Sequence, residues 1–257
     1  LTVRLLTGTA ERDGTELALN VPYVFSGARS KLLTWHGCTL EVTGDCDDYI
    51  VEVASPADSP AVSYLNLHFA LQAARPRTGS AATGPRVLVC GSQATGKTSL
   101  ARTLVALATR QGARPVLASV DPREGLLSLP GTLGAAVFGT LMDVEAADGG
   151  IGIGGTPSSG PSAVPVKLPL IYAYGREKPE EDEPVWRTLV SRLAGAVRGK
   201  IAEDPEVRAS GVIIDAPAVA PGKTGVEMLA HVVDEFAGRS NPRLLHPAPA
   251  ANHHFRY

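Results

Sequence analysis

Cysteine is scarce, net charge is close to zero, and long apolar runs are missing. Each shortage excludes something. The 257 residues hold three cysteines, Cys38, Cys46 and Cys90, without metal-ligand spacing. So few, oddly numbered, make no disulfide framework and suit a reducing compartment; only Cys38 and Cys46 invite pairing under oxidising conditions. Lys plus Arg number 24 against 26 Asp plus Glu, a formal charge of -2. That excludes a strongly basic protein that coats nucleic acid, while a local basic groove stays open. No apolar stretch approaches the roughly 18 residues that span a bilayer, and the first residues lack the charged region of a signal peptide. The expectation is a soluble, intracellular protein without a membrane partner. What is present fits this: 44% hydrophobic and 19% charged residues are ordinary for a globular chain, and the length can bury a core in one large or two modest units.

Two patterns divide the chain. From Leu1 to about Val62, short apolar or alternating runs (Leu1–Leu6, Glu16–Leu19, Tyr23–Phe25, Lys31–Trp35, Thr39–Val42, Tyr49–Val53) are separated by turn residues such as Asp13-Gly14, Gly27 and Gly37. This spacing predicts a small all-β sandwich or partial barrel over 1–62. It opens inside a strand-like run, which suggests that the module is partial. After a Pro/Ser/Asp joint at Ser55–Pro60, the spacing of Leu65, Phe69, Leu71 and Ala74 predicts a short helix. From Arg86 strands and helices alternate, the mark of an α/β fold with a parallel sheet and helices on both faces. Predicted strands are Val87–Cys90, Val116–Val120 and Val212–Ile214; predicted helices are Thr98–Arg110, Val185–Lys200 and Val226–Phe236. Gly149–Pro165 reads as a Gly/Ser/Pro-rich insertion. The acidic run Glu180–Glu183 reads as a solvated loop or helix start. This unit spans 63–240, and 241–257 reads as an irregular tail in place of a further strand.

Between the first apolar strand and its helix lies Gly91-Ser92-Gln93-Ala94-Thr95-Gly96-Lys97-Thr98. The spacing G-x-x-x-x-G-K-T makes a phosphate cradle, because glycine lets backbone N–H groups turn into a concavity. Lys97 would reach the β- and γ-phosphates, Thr98 would give its hydroxyl to Mg²⁺, and the helix N-terminus would add its dipole. The ligand is a purine nucleoside triphosphate, with ATP and Mg²⁺ the expected pair. Gly222-Lys223-Thr224 is a decoy, since Pro217 stands where the cradle needs glycine. Cys90 reads as a small buried hydrophobe. Asp121 and Asp215 each end an apolar strand, where a carboxylate would face the phosphates. Each reads as a Mg²⁺ ligand or as a capping residue, and Asp121 also as the base of a phosphoryl transfer.

Several segments in order resemble one family: Gly14-Thr15-Glu16-Leu17, Thr34-Trp35-His36-Gly37-Cys38, Asn66-Leu67-His68, Gly84-Pro85-Arg86-Val87, Asp121-Pro122, Pro130-Gly131-Thr132 and Ser210-Gly211-Val212-Ile213-Ile214-Asp215. Together with the P-loop they resemble the polynucleotide 5′-hydroxyl kinases. Within these the chain is similar to the fungal ATP-binding subunits of nuclear pre-mRNA cleavage factor IA. The resemblance runs from Leu1 to about Phe236. It implies a β-sandwich followed by a P-loop kinase-like domain, with a C-terminal domain absent and the chain shortened at both ends. It also implies an adenine contact from the sandwich, at Arg29 or alternatively Lys31.

The chain departs from active members on the substrate side. Pro122-Arg123-Glu124 replaces Val-Gly-Gln after the strand-end Asp. Arg176-Glu177-Lys178-Pro179-Glu180-Glu181 replaces a Thr/Gly/Asn-rich clasp, and its acids would repel a phosphate backbone. Val219 replaces a base-stacking Trp, and the lid arginines expected beyond residue 240 are missing. The resemblance therefore implies a non-catalytic ATP-binding subunit of mRNA 3′-end cleavage and polyadenylation in the nucleus. Its partners would be the scaffold subunit of cleavage factor IA and other 3′-end processing factors, with RNA contact indirect or weak. The alternative is an active RNA 5′-hydroxyl kinase using Asp121 and Lys97.

Overall fold

The computed structural model describes residues 1–26, 31–45, 59–76, 81–142, 144–145, 169–219, 222–237 and the backbone of 243–245. The run 49–53, Cys46, Arg29 and the insertion 149–165 lie outside the described residues.

The N-terminal residues form two small antiparallel sheets. One joins β1 (Thr2–Gly8), β4 (Pro22–Val24) and β6 (Cys38–Thr43) in the order β4-β1-β6; the other joins β2 (Glu11–Arg12), β3 (Thr15–Glu16) and β5 (Leu32–Leu33) in the order β3-β2-β5. Val3, Leu5, Ala10, Leu17 and Phe25 bury one side of these strands. Val144, from the P-loop unit, completes that small core. Its carbonyl accepts a hydrogen bond from Arg12, whose guanidinium stacks 5.1 Å from the centre of the Phe25 ring.

A six-stranded sheet forms the rest, in the order β10-β9-β8-β11-β7-β12. Its strands are β7 (Arg86–Val89), β8 (Val116–Ser119), β9 (Thr132–Val137), β10 (Leu170–Ala173), β11 (Val212–Asp215) and β12 (Arg243–Leu245). Strands β8, β11, β7 and β12 are parallel, as the alternating pattern predicts. By contrast β9 runs antiparallel to both β8 and β10. Among the described residues, the link from β8 to β9 carries no crossover helix, which a parallel return ordinarily uses. Strand β12 corrects the expectation of an irregular tail: its three residues pair in parallel with β7, Arg243 opposite Val87. With only three residues it falls below what a hydrophobic-run reading detects, and pairing with a buried neighbour supplies the order.

Helices cover both faces because the central strands are apolar on both sides. Val87, Val89, Leu117 and Ile213 face α1 (Pro60–Ala74) and α2 (Lys97–Arg110); Leu88, Val116, Ala118, Val212 and Ile214 face α3 (Glu183–Glu203) and α5 (Lys223–Ala237). A six-residue helix, α4 (Pro205–Ser210), leads into β11. Helix α1 starts five residues before the apolar spacing of Leu65 suggests, since Pro60 serves at its first position. In α3 the buried residues Trp186, Leu189, Val190, Leu193, Ala194, Val197 and Ile201 recur at helical spacing, each large one stabilising by about 1.5–3 kcal/mol. The acidic run that precedes it is a helix start: Glu181 accepts a hydrogen bond from Lys178 N–H at 3.0 Å and Asp182 one from Val185 N–H at 3.4 Å.

The N-terminal sheets grip the far end of α2. Arg110 donates to Glu11 and to the Gly14 carbonyl, both at 3.0 Å, and pairs with Glu16. Gly14 has φ +88, and a Cβ there would lie 3.2 Å from the Ala106 Cβ. Glycine is what lets this turn press against the helix.

Candidate nucleotide-binding site

The parallel order places β11 between β8 and β7, so three carboxyl ends converge. Asp215 stands opposite both Val89, which leads into the P-loop, and Ser119, which leads to Asp121. Two further backbone bonds, Val120 N–H to the Asp215 carbonyl (3.0 Å) and Ala216 N–H to the Val89 carbonyl (3.1 Å), carry the ladder past the strand ends.

Residues 91–96 form the turn between β7 and α2. Ala94 has φ 59 and Gly96 φ 82, left-handed values that bend the chain back on itself. Within the loop, the Thr95 hydroxyl and the Lys97 ammonium both donate to the Ser92 carbonyl at 2.9 Å. Lys97 is only 7% exposed, so its charge is held over the loop. Thr98, in the first turn of α2, donates its hydroxyl to Asp215 Oδ2 at 2.8 Å. This pair joins residues 117 apart in the chain.

Asp215 is fully buried, and its Oδ1 has no hydrogen-bond partner. Burial pushes its pKa from 3.8 up to about 7; the negative charges of Asp121 and Glu124 add to this, while the Thr98 hydrogen bond and Lys97 work against it. Asp121, 4% exposed, is also raised by burial, opposed by the hydrogen bond it accepts from Arg123 N–H at 3.0 Å. The site thus gathers two buried carboxyl groups; Lys97 opposes the rise at both and Arg123 at Asp121, without cancelling the effect of burial. An orphaned carboxylate oxygen beside a threonine hydroxyl is the donor chemistry of a hard divalent cation such as Mg²⁺, which takes one or two carboxylates and completes its shell with phosphate and water. Among the described residues no group of three or more His, Cys, Asp or Glu has the arrangement of a protein-only metal site. Thr98 and Asp215, with Asp121 nearby, would hold Mg²⁺, and the ion would neutralise charge on the terminal phosphates.

A pH effect follows. In the folded state Asp215 keeps its proton to about pH 7, whereas the unfolded chain releases it near 3.8. The folded form binds more protons in that window, so stability falls as pH rises from about 4 to about 7. Melting temperature without nucleotide or divalent ion is expected to drop between about pH 4 and about pH 7, and Asp215→Asn to flatten the drop. A wild-type profile as flat as the variant's would contradict the buried neutral carboxyl.

The other predicted positions sort clearly. Arg29 lies outside the described residues, and Lys31 is exposed. Val219 packs against the core beside α5 and presents no stacking surface. Lys223 of the decoy tripeptide is exposed and pairs with Glu227 within its helix at 3.7 Å. Cys90 is 2% exposed, its thiol pushed up by burial. Two contributors had no site role in the sequence reading. Tyr64, on α1, brings its hydroxyl to 3.5 Å from where a Cβ on Gly96 would stand; Glu124 adds negative field at both aspartates. The only hint of Tyr64 was its place four residues before His68 on one helix.

Comparison with known proteins gives a consistent picture. Residues 1–78 match a family model described as the N-terminal beta-sandwich domain of polyadenylation factor, and residues 91–239 match the mRNA cleavage and polyadenylation factor CLP1 P-loop. The chain is 55% identical over 251 residues to the mRNA cleavage and polyadenylation factor CLP1 of Chaetomium globosum, covering 92% of this chain and 50% of that one. It is 52% identical over 243 residues to the protein of the same name from Pyricularia oryzae, covering 92% and 52%. The chain therefore spans about half the length of these relatives. A solved structure of a wild-type Clp1p–Pcf11p complex superposes with TM-score 0.74 at 26% identity, over 96% of this chain and 55% of that one. A second such structure (TM-score 0.74, 25% identity, 95% and 56% covered) concerns an extended Pcf11p–Clp1p interface and ATP loss in a point mutant. Among the described residues no helix is long and apolar enough to cross a membrane.

Proposed function

The chain belongs to the CLP1 family of mRNA cleavage and polyadenylation factors, and from that membership we propose that it is an ATP-binding subunit of the nuclear machinery that forms mRNA 3′ ends. It holds Mg-ATP on residues 91–98 as a structural ligand and does not spend it. Residues 1–62 act as the adenine-side module, through Arg29, and residues 63–240 as the phosphate-binding unit. The P-loop unit presents a surface to a scaffold subunit of the same factor, as the Clp1p–Pcf11p complexes suggest for a relative.

One contrast carries this reading. The phosphate side has its cradle, its buried Lys97 and the Thr98–Asp215 pair, while the expected RNA side offers Val219, partly buried against the core, and an acidic helix start. A ligand that binds only the folded arrangement stabilises it by mass action. ATP contacting the loop at one end of α2, whose other end Arg110 ties to Glu11 and Glu16, would fasten both units.

The raised pKa of Asp121 favours a second reading, an active 5′-hydroxyl kinase, because a base needs a pKa above the usual carboxylate range. Transfer of labelled γ-phosphate from ATP to a 5′-hydroxyl oligoribonucleotide separates the two. The expected result is retained ATP with no label transferred; labelling that disappears in Asp121→Asn would establish the kinase instead.

A further inference from the structure

At the opposite end of α2, near the amino ends of β8 and β11, Gln72, Arg75, Gln111, Glu206 and Ser210 line a cleft of about 360 Å³, within the range of small-ligand sites. The 14 residues of α2 separate it from the P-loop by about 20 Å. Arg75, at the end of α1, is half-buried there. Its Nε donates to the Ser210 carbonyl at 3.0 Å and its Nη1 to Gln72 Oε1 at 2.7 Å, both neutral acceptors. Among the described residues no carboxylate pairs with it, and Glu206 across the cleft is taken by Arg114 at 2.5 Å. A half-buried guanidinium ordinarily keeps an anionic partner, because desolvating a charge without one is costly.

A second group makes the same point. His68 is 1% exposed, and neither ring nitrogen has a hydrogen-bond partner. The Gln111 side chain lies near enough to act on the ring. Burial, then Arg75 and Arg110, push the imidazole below its usual pKa against the pull of Gln111. Arg110 is occupied by Glu11 and Glu16, and Arg114 by Glu206 and Asp204. Of these three arginines, Arg75 is the one without a carboxylate partner among the described residues.

We propose that this cleft binds a small anionic ligand whose carboxylate or phosphate pairs with Arg75, with the Gln72 and Gln111 amides as flanking donors. The site is independent of the P-loop and empties or fills without the nucleotide.

The His68 ring and the Gly96 amide are separate NMR reporters of the two sites. Titration with inorganic phosphate, and in a parallel arm with acetate, is expected to shift the His68 ring signals saturably and raise that residue's pKa. Arg75→Met is expected to weaken this by about tenfold or more, the loss of a charged hydrogen-bond partner. Because Arg75→Met also removes the bond to Ser210, Gln111→Glu serves as a second variant. It supplies a carboxylate beside Arg75 and is expected to abolish the response in a folded protein. Response to phosphate alone identifies phosphate esters as the ligand class; response to both extends it to carboxylates. A His68 signal that stays still while the Gly96 amide moves, or a shift undiminished in both variants, overturns the proposal.

Discussion

Lys97→Ala is expected to weaken ATP binding roughly 10- to 150-fold, the loss of about 1.5–3 kcal/mol that a hydrogen bond to a charged group contributes. The fold should survive, because among the described residues the ammonium donates only to the Ser92 carbonyl of its own loop. Lys97 is also the one positive group that lowers the pKa values of both Asp121 and Asp215. Without it only Arg123, beside Asp121, offsets the two carboxyl groups that face incoming phosphates, so the loss falls toward the upper end of the range. Calorimetric titration with Mg-ATP measures this directly. Thermal melts supply a second reading: at about 100 times the wild-type Kd, ATP contributes about 2.7 kcal/mol of stability, and most of it should vanish in the variant. Unchanged affinity would mean that the phosphates do not sit on this loop.

The largest stability effect is expected at Trp186. It is fully buried among α3, α5 and the sheet, and its Nε1 donates to the Val120 carbonyl at 3.0 Å. Trp186→Ala should cost about 3–5 kcal/mol, from lost transfer energy and an unfilled cavity, lowering the melting temperature by roughly 6–20 °C. The consequence reaches the site, because Val120 immediately precedes Asp121. Trp186→Phe isolates the polar part: the ring volume is largely kept, but the Val120 carbonyl loses its donor, at about 1–3 kcal/mol. Thermal melts of both variants, with ATP affinity measured below their transitions, test this. Trp186→Ala melting within a degree or two of the parent would show that α3 is not anchored there.

Much of the site was legible because its determinants are local. Gly91, Gly96, Lys97 and Thr98 lie within eight residues, and the turn they require depends on glycine conformation and helix polarity alone. Strands β7, β8 and β11 were legible because burial on both faces demands continuous apolar runs. Strand β9 was not: Thr132–Val137 contains Gly134, where a Cβ would stand 2.5 Å from Ile171 Cδ1. Its identity as a strand comes from neighbours, and so does that of β12.

The P-loop, the two strand-end aspartates and the α/β class were determined by the sequence alone, since each rests on spacing within one short segment. Tertiary structure decided the rest: that Thr98 meets Asp215 and not Asp121, that Tyr64 overhangs Gly96, and that Arg75 lacks a counter-ion among the described residues. These are relations between segments far apart in the chain. Burial brings them together, and burial also changes their chemistry, raising Asp215 to about 7 where its neighbours in sequence predict an ordinary carboxylate.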